Sequence, residues 1–463
     1  MLSRDHAADV FAKLKKNSTA DDLEVLFFGG RNALTRFANN TIHQNVAEEN
    51  YGISVRTIFG QRTARASTNK LDDESLKRVL QASESLARVQ HPDPDLLPMY
   101  DARGAAGPAE APPIPKRHFE NTASLSPQDR AEGVERMVAI AKQQGLTAAG
   151  IFATSESVEG IFNSGGLASW HQQTSCDISV TMIGSTSSGW QKANSANAAQ
   201  LDPVSLAETA AMKATMGASP HELPAGKYTV ILEPAAVLDL VGFMFYDFGG
   251  MAILDQRSFL NNRIGSQIFG ENINIWDDAA HPLQLGAPFD GEGVRRQQVQ
   301  LVENGVVKRL VYARATAEKM RYSEYKDKVG PIAPTGHSFP LPNALGEAPM
   351  NIVFSEPKDP SSVDQMVAST ERGVLVTRLW YIREVDPYEK ILTGMTRDGT
   401  FYVENGKIRY GILNFRFNES LLHMLSNVEQ MGTPVRASGE ESFDMVAPAM
   451  KVKDFNFTEV TKF

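Results

Sequence analysis

The 463-residue sequence has a single cysteine, Cys176. A disulfide within the chain is therefore impossible, and the class of small, secreted, disulfide-rich proteins is excluded. Cys176 alternates with Ile178 and Val180, a pattern that favours an inert, buried thiol on a strand over a reactive one. The first residues lack the apolar segment of a signal peptide, and no run approaches the roughly 18 apolar residues of a membrane span. We therefore expect a cytoplasmic protein that does not enter a membrane.

Positively charged residues are also fewer than negatively charged ones. Lys and Arg number 46 against 55 Asp and Glu, which gives a formal net charge of −9. Non-specific affinity for nucleic acids comes from neutralising phosphates with Lys and Arg, so the balance disfavours a general nucleic-acid-binding protein. The length exceeds that of one ordinary hydrophobic core and predicts two or three domains.

Familiar catalytic motifs are missing as well. The nine histidines are scattered, with no two at the spacing that places both imidazoles on one helix face, and HExxH, CxxC and calcium-loop patterns are absent. GxGxxG, the P-loop and GxSxG are also absent. Of the paired acids, Asp277-Asp278 ends the apolar stretch INIWDD, where we expect a turn-forming role. The residues by themselves show no catalytic apparatus.

Helical and strand periodicities predict an α+β protein in three parts. Residues 1–90 are predicted to form an amino-terminal domain with a helix on a small antiparallel sheet. Residues 118–222 are predicted to form a middle α+β domain, and residues 223–463 a β-rich carboxy-terminal domain. Residues 91–117 lie between the first two domains. This segment is rich in proline and alanine and is predicted to form an extended connector.

Local signals place several elements. A strand is predicted over Leu23–Gly30, ending at its glycine pair, and Asn39-Asn40 is predicted to turn an antiparallel meander. A helix is expected to start near Asp72, with an acidic first turn. Two ENG sequences, at Glu303–Lys308 and Glu404–Lys407, predict tight hairpins because Asn-Gly suits the positive φ of such turns.

The stretch Ile231–Met251 (ILEPAAVLDLVGFMFYDFGGM) is the most unusual. It reads as a buried strand that passes through Glu233-Pro234 into a helix, whose second half carries four aromatic residues around Asp247. Aromatic residues at helical spacing are more often core than ligand pocket, although a pocket stays open.

Six segments, in the same order and over nearly the whole chain, resemble the TldD/PmbA family. Among them are IFNSGGLASWHQQTSCDISVTM, ELPAGKYTVILEP, the stretch from SFLNNRIG through INIWDD and PFDGEG to ENGVVK, and PTGHSFPLPNALGEAPM. The resemblance implies a peptidase made of two related subunits. A TldD-like subunit carries zinc on an HExxxH helix and a late cysteine, whereas a TldE/PmbA-like subunit has the same fold without these ligands. The resemblance further implies a heterodimer that encloses a chamber for unfolded or extended peptides.

Placed on this sequence, the HExxxH positions fall near Gly242, Phe243 and Asp247, give or take a residue. The late cysteine falls near Arg436–Gly439, where no cysteine is present. A catalytic zinc normally needs three protein ligands. The resemblance therefore implies a non-catalytic TldE-like subunit without metal, with zinc expected in a TldD-like partner. Whether this chain is an enzyme on its own stays open.

The sequence departs from the family between Leu379 and Gly399, where a Gly-rich stretch is replaced by bulky and charged residues. In the family this region borders the chamber, so specialised contacts with substrate are one interpretation and a solvated loop is the other. The candidate contact residues are Arg378, Arg383, Asp386, Tyr388 and Arg397.

Two other functions remain. The chain could be a homodimeric peptidase with an unusual site, using Asp247 together with His281 or His337. More remotely, the older family label, modulator of DNA gyrase, suggests a binding protein for gyrase or nucleic acid, against which the net charge argues. The peptide substrate, the partner's identity and the oligomeric state in isolation are not predicted.

Overall fold

The structure is a computed structural model that describes residues 2–101 and 114–461. It confirms the mixed α+β class predicted from the sequence. The first half is built on one six-stranded antiparallel sheet in the order β3-β2-β1-β4-β5-β6. Its strands are β1 (Asp22–Ala38), β2 (Thr41–Phe59), β3 (Arg62–Thr68), β4 (Thr147–Asn163), β5 (Ala168–Ile183) and β6 (Ser188–Ser195).

Helices cover one face of this sheet. Val25, Phe27 and Phe37 alternate along β1, so their side chains share a face, and all three lie in the helix-packed cores. The helices are α1 (Arg4–Asn17), α2 (Asp73–Val89), α3 (Glu120–Ala123), α4 (Pro127–Gln143) and α5 (Pro203–Met216), with a 3₁₀ turn at Ala198–Gln200. Their starts follow the sequence signals: the Asp72 side chain accepts the Ser75 N–H at the first turn of α2.

The sheet is larger than the small one expected for the amino-terminal part. β1 pairs with β4 from Glu24 to Phe37, which joins the amino-terminal and middle parts in a single sheet. The prediction that the first strand ends at Gly29-Gly30 is also wrong, because β1 runs through this pair to Ala38. A Cβ atom at Gly29 would collide with the Asn50 carbonyl oxygen of the neighbouring strand, so the glycines permit close pairing instead of ending the strand.

The second half is β-rich, as predicted, and holds two further sheets. In the larger one, the order β12-β7-β19-β15-β13 closes on itself because β12 also pairs with β13, while β14 and β16 extend it. The strands are β7 (Gly226–Leu232), β12 (Arg372–Asp386), β13 (Ile391–Glu404), β14 (Lys407–Gly411), β15 (Phe415–Ser420), β16 (Val428–Met431) and β19 (Met450–Val460).

The other sheet has six short strands in the order β10-β9-β8-β11-β18-β17. They are β8 (Ile275–Asp277), β9 (Val299–Glu303), β10 (Val306–Val307), β11 (Ile352–Phe354), β17 (Val435–Ala437) and β18 (Met445–Ala447). Five helices accompany both sheets: α6 (Pro234–Val241), α7 (Gly250–Leu254), α8 (Arg314–Arg321), α9 (Val363–Ala368) and α10 (Leu421–Ser426). The Asn-Gly hairpins are confirmed, with positive φ at Asn304, Gly305, Asn405 and Gly406.

Residues 102–113 of the proposed connector lie outside the described residues. Its described ends form neither helix nor strand. They contact the second half of the chain, where Arg314 donates to the Pro98 carbonyl and Arg117 donates to the carbonyls of Ala279 and Gly286. Throughout residues 2–101 and 114–461, no helix combines the length and apolarity needed to cross a membrane.

Candidate functional site

The candidate site is built on the segment that follows β7. Pro234 occupies the first turn of α6, a position where a missing N–H costs nothing, and α6 is almost entirely buried. At Gly242 the winding changes to a 3₁₀ helix, Gly242–Phe248, where the sequence predicted a continuing helix. With three residues per turn, side chains three apart point the same way. Phe245 and Phe248 therefore enter the core together, while Phe243 and Tyr246 both face an open cleft.

This cleft has a volume of about 550 Å³. Its walls come from the 3₁₀ helix, from the end of the β12–β13 hairpin, from the loop before β18, and from single residues near α7 and β11. The lining residues are Gly242, Phe243, Tyr246, Asp247, Ala252, Arg257, Met350, Glu384, Pro387, Lys390, Glu441, Ser442 and Phe443. We call it the 3₁₀ cleft.

A buried ammonium lies at the floor of the 3₁₀ cleft. Lys390 is 4% exposed, and its Nζ lies 2.6 Å from Asp247 Oδ2 and 2.8 Å from Glu384 Oε1. The same ammonium donates to the Phe243 carbonyl at 3.3 Å. Burial raises the pKa of the Asp247 carboxyl above its ordinary value, although Lys390 acts in the opposite direction. The Asp247 carboxylate is thus paired with the Lys390 ammonium of the same chain.

The loop after β17 lies against α6. Asp239 of α6 is fully buried, and its Oδ1 accepts the N–H groups of Glu440 at 3.2 Å and Glu441 at 3.0 Å. Burial raises the pKa of Asp239 to about 7. We did not predict this residue, although an acid within the apolar run AAVLDLV was a visible signal. Asp239 therefore attaches Arg436–Gly439 and the adjoining loop to the helix of the candidate site.

The face of the six-stranded sheet that none of the described helices covers, here called the helix-free face, adjoins the same loop. Lys192 of β6 donates to the Gly439 carbonyl at 2.7 Å, and Arg436 donates to Asn194 Oδ1 at 2.6 Å. Small polar residues on the neighbouring strands share this face and are partly exposed, namely Ser155, Ser157, Ser175, Ser179 and Thr181.

Family models match the chain in three consecutive parts. The PmbA/TldA metallopeptidase C-terminal domain matches residues 225–459, which is half of the chain. Domain 1 of the same metallopeptidase matches residues 23–87, and its central domain matches residues 120–217. The chain belongs to the PmbA/TldD family.

Individual PmbA/TldD proteins are similar over most of their length. Metalloprotease PmbA of Escherichia coli O157:H7 is 24% identical over 88% of this chain and 87% of its own. The metalloprotease PmbA homolog of Haemophilus influenzae is 22% identical over 83% of this chain and 82% of its own. The crystal structure of TldE from Thermococcus kodakarensis superposes with a TM-score of 0.84 at 18% identity, covering 98% of this chain and all of that one.

The residues at the expected metal positions of the PmbA/TldD family do not fit a catalytic zinc. A side chain at position 242 would collide with Ser442 Oγ, Phe243 offers no donor atom, and the Asp247 carboxylate is paired with Lys390. Shifting the motif by one residue in either direction places only apolar residues, glycine or Tyr246 there. Across the described ranges, no group of three His, Cys, Asp or Glu side chains could hold a metal ion.

His281 and His337, the two histidines of the alternative peptidase site, make contacts away from Asp247. His337 is buried with its Nε2 2.9 Å from Asp277 Oδ1, and His281 Nδ1 accepts the Leu283 N–H. Burial opposes ionisation of Asp277, but His337, Arg296 and the Asn351 N–H together outweigh it and hold the pKa of this carboxyl below its ordinary value. The predicted turn-forming role of the pair Asp277-Asp278 is therefore wrong for Asp277, which is fully buried. Asp278 does cap a turn, accepting the Ala280 N–H.

Two of the five candidate contact residues belong to a stacked array of rings and guanidinium groups. Arg378 is buried, donates through both Nε and Nη2 to Asp398, and lies between the rings of Trp190 and Trp380. Arg397 covers the same Trp380 ring at 4.7 Å. Arg378 is thus held as a structural cation, because its Nε and Nη2 donate to one Asp398 oxygen and its guanidinium is stacked, which leaves few free donors.

The other three lie along the β12–β13 hairpin. Arg383 lies over the exposed Tyr381 ring at 4.3 Å, and Asp386 accepts the N–H groups of Tyr388 and Glu389 to close the hairpin turn. The Tyr388 hydroxyl donates to the Asn261 carbonyl at 3.2 Å. None of the five candidates lines the 3₁₀ cleft; the hairpin residues that line it are Glu384, Pro387 and Lys390. A role for the five in substrate binding stays a prediction.

Cys176 is fully buried, as predicted. Burial raises the pKa of its thiol to about 12, so the reactive thiolate is scarce at neutral pH. Cys176 is therefore no candidate for nucleophilic catalysis.

Proposed function

We propose that this chain is the non-catalytic, TldE-like subunit of a heterodimeric metallopeptidase whose TldD-like partner holds zinc and performs the hydrolysis. The observation that carries the proposal is a retained framework with unsuitable residues at the expected metal positions. The strand, the helix and the late loop meet in one place, but Gly242 has no space for a ligand and Asp247 faces the Lys390 ammonium. Phenylalanine at position 243 cannot serve as the base that activates a metal-bound water.

The floor of the 3₁₀ cleft supports this assignment. A divalent cation near Asp247 and Glu384 would be repelled by the Lys390 ammonium, which lies within 2.8 Å of both carboxylates. Because the ammonium is buried and anchored to the Phe243 carbonyl, it does not move aside without breaking these contacts. This arrangement supports a subunit that keeps the family fold, binds no metal at this site and depends on its partner for hydrolysis.

The helix-free sheet face supports a role in building a chamber. Its serine and threonine side chains form a polar surface together with the charged Asp177 and Lys192, and Lys192 contacts the adjoining loop at the Gly439 carbonyl. Such a surface offers hydrogen-bonding groups to the main chain of an unfolded peptide. We infer that this chain provides one wall, that the partner provides the other, and that the pair works in the cytoplasm, where a single buried thiol needs no oxidising environment. Fractionating the source cells and detecting the chain outside the cytosolic fraction would refute the last point.

Reconstitution with a purified TldD-like protein tests the assembly. We expect the two chains to co-elute at equal stoichiometry in size-exclusion chromatography, and the mixture to cleave an unfolded peptide faster than the partner alone. Failure to associate, or equal proteolysis with and without this chain, would contradict the proposal.

A further inference from the structure

We propose that the 3₁₀ cleft binds an uncharged, apolar side chain of an extended peptide, so that this subunit selects peptides although it lacks metal ligands. The inference rests on the proposed function, because it assumes that peptides reach this surface within the assembled pair.

Aromatic side chains form a preformed apolar wall. Phe243 and Tyr246 point into the cleft from successive turns of the 3₁₀ helix, and Phe443 faces them from the loop before β18. Tyr246 is 50% exposed, and its ring stacks on Phe339 with the centroids 6.4 Å apart. Phe443 is fixed edge-on against the buried Phe245. The volume of about 550 Å³ lies within the range of roughly 300–1,000 Å³ typical of small-ligand pockets.

The charged residues of the cleft are already paired with one another or with close neighbours. Lys390 pairs with Asp247 and Glu384, and Arg257 lies 3.0 Å from Asp255. The Glu441 carboxylate accepts the Tyr381 N–H at 2.7 Å. A charged side chain that reaches the buried Lys390, Asp247 and Glu384 would have to break one of their interactions or remain unpaired, which is costly in a partly buried site. An uncharged side chain can pack against the aromatic wall without breaking these ion pairs.

An open strand edge next to the cleft can hold the main chain of the same peptide. The pairing of β12 with β7 ends at Val376, and the next three residues, Thr377 to Leu379, are buried. From Tyr381 to Val385 all residues except Ile382 are exposed, and the described residues place no strand on the side of β12 away from β13. Arg383 donates to the Ile382 carbonyl on this stretch, in place of a neighbouring strand. An extended peptide can add to such an edge through main-chain hydrogen bonds. Since Glu384 belongs to the edge and also lines the cleft, a peptide bound there has its side chains beside the opening.

Tyr381 gives independent support for a binding role of this edge. It adopts a φ of 54° within β12, a conformation that is strained for a bulky side chain, and it is half exposed. The conformation is held by the hydrogen bond from its N–H to Glu441, a cleft residue. Strained residues that the surrounding structure enforces are concentrated at binding and active sites.

Capped pentapeptides test the inference on the isolated full-length chain. In the series acetyl-Ala-Ala-X-Ala-Ala-amide, X is Phe, Leu, Asp or Lys, and affinity is measured by isothermal titration calorimetry. We expect the Phe and Leu peptides to bind at least about tenfold more tightly than the Asp and Lys peptides, because only they bury apolar surface without unpairing a charge. Equal affinity across the series, or no binding of the Phe peptide, would overturn the inference.

Matched substitutions locate the site. Tyr246→Ser and Phe443→Ser should each abolish the preference for Phe over Asp, whereas Tyr322→Ser, at a side chain that is 82% exposed and outside the cleft, should leave it unchanged. If Phe443→Ser does not fold, the half-exposed Tyr246→Ser decides the question alone. A preference that survives Tyr246→Ser contradicts the inference. Co-elution of the wild-type chain and of Tyr246→Ser with a TldD-like partner, measured in parallel, separates this inference from the proposed function, because loss of the peptide preference with retained association contradicts neither, whereas a wild-type chain that does not associate contradicts the proposed function.

Discussion

Replacing Lys390 with methionine removes the ammonium at the floor of the 3₁₀ cleft and keeps most of its apolar stem. In the wild-type chain this ammonium is the cation closest to Asp247, whose carboxyl otherwise accepts a single N–H, from Phe259. The substitution therefore leaves a buried carboxylate without its counter-charge. Glu384 is better solvated and loses less, because its side chain is 31% exposed.

The expected loss of stability follows from this burial. Removing one partner of a buried ion pair typically costs about 3–5 kcal/mol, because the remaining charge is uncompensated. The cost depends on pH. Without Lys390, the folded-state pKa of Asp247 lies further above its unfolded value of about 3.9. A group with a raised folded pKa stabilises fully only below its unfolded pKa and loses this contribution as pH rises through the folded pKa. The deficit of Lys390→Met should therefore be larger at pH 8 than at pH 5.

Urea unfolding followed by tryptophan fluorescence at both pH values measures the effect. The double variant Lys390→Met, Asp247→Asn has no unpaired buried carboxylate at position 247. It should recover much of the lost free energy of unfolding and lose the added pH dependence. Lys308→Met is the matched control, since Lys308 and Glu303 form an exposed pair at 3.4 Å that contributes less than about 1 kcal/mol. A Lys390→Met protein as stable as wild type at both pH values would show that Lys390 does not stabilise Asp247, and a double variant no more stable than the single variant would show that the Asp247 charge is not the cause of the loss.

Two further outcomes are expected. Because burial raises the pKa of the Cys176 thiol to about 12, the native chain should not react with a thiol reagent such as DTNB at pH 8, whereas the urea-unfolded chain should react with one equivalent; rapid native labelling would show that the thiol is accessible. Arg378→Lys should lower the free energy of unfolding by about 1–3 kcal/mol, since lysine loses both the two-pronged bond to Asp398 and the stacking between tryptophan rings, while Arg397→Lys at the half-exposed end of the array should change it by less than about 1 kcal/mol. Equal effects of the two substitutions in urea titrations would contradict the structural role of Arg378.

Local structure could be predicted from residues that act on their immediate neighbours. Asp72 marks the start of α2 because its carboxylate satisfies a free N–H of the first turn. Asn304-Gly305 and Asn405-Gly406 turn their hairpins because both residues accept positive φ. Pairing over long distances could not be predicted in this way. The union of β1 with β4 depends on strands more than a hundred residues apart, and no local pattern shows which strand an edge will join.

The candidate site could likewise be predicted only where it depends on neighbouring residues in the sequence. The stretch Ile231–Met251 could be singled out from its composition, since aromatic residues surround an acid after a buried strand. The partner of that acid, Lys390, lies 143 residues away in sequence and carries no local signal that links the two. The charged residues between Leu379 and Gly399 point to the hairpin that borders the cleft. They do not identify Glu384, Pro387 and Lys390 as the lining residues, because only the folded register shows which side chains face the cleft.

Metal content and hydrolysis, measured together on the isolated chain, show whether this subunit is inactive without its partner. The purified chain is incubated with zinc, passed over a desalting column, analysed for metal by mass spectrometry and assayed with an unfolded peptide, alone and after addition of a TldD-like partner. We expect no stoichiometric metal and no cleavage for the chain alone, and chelator-sensitive cleavage once the partner is added. One tightly held metal ion per isolated chain, together with chelator-sensitive cleavage in the absence of any partner, would contradict this expectation.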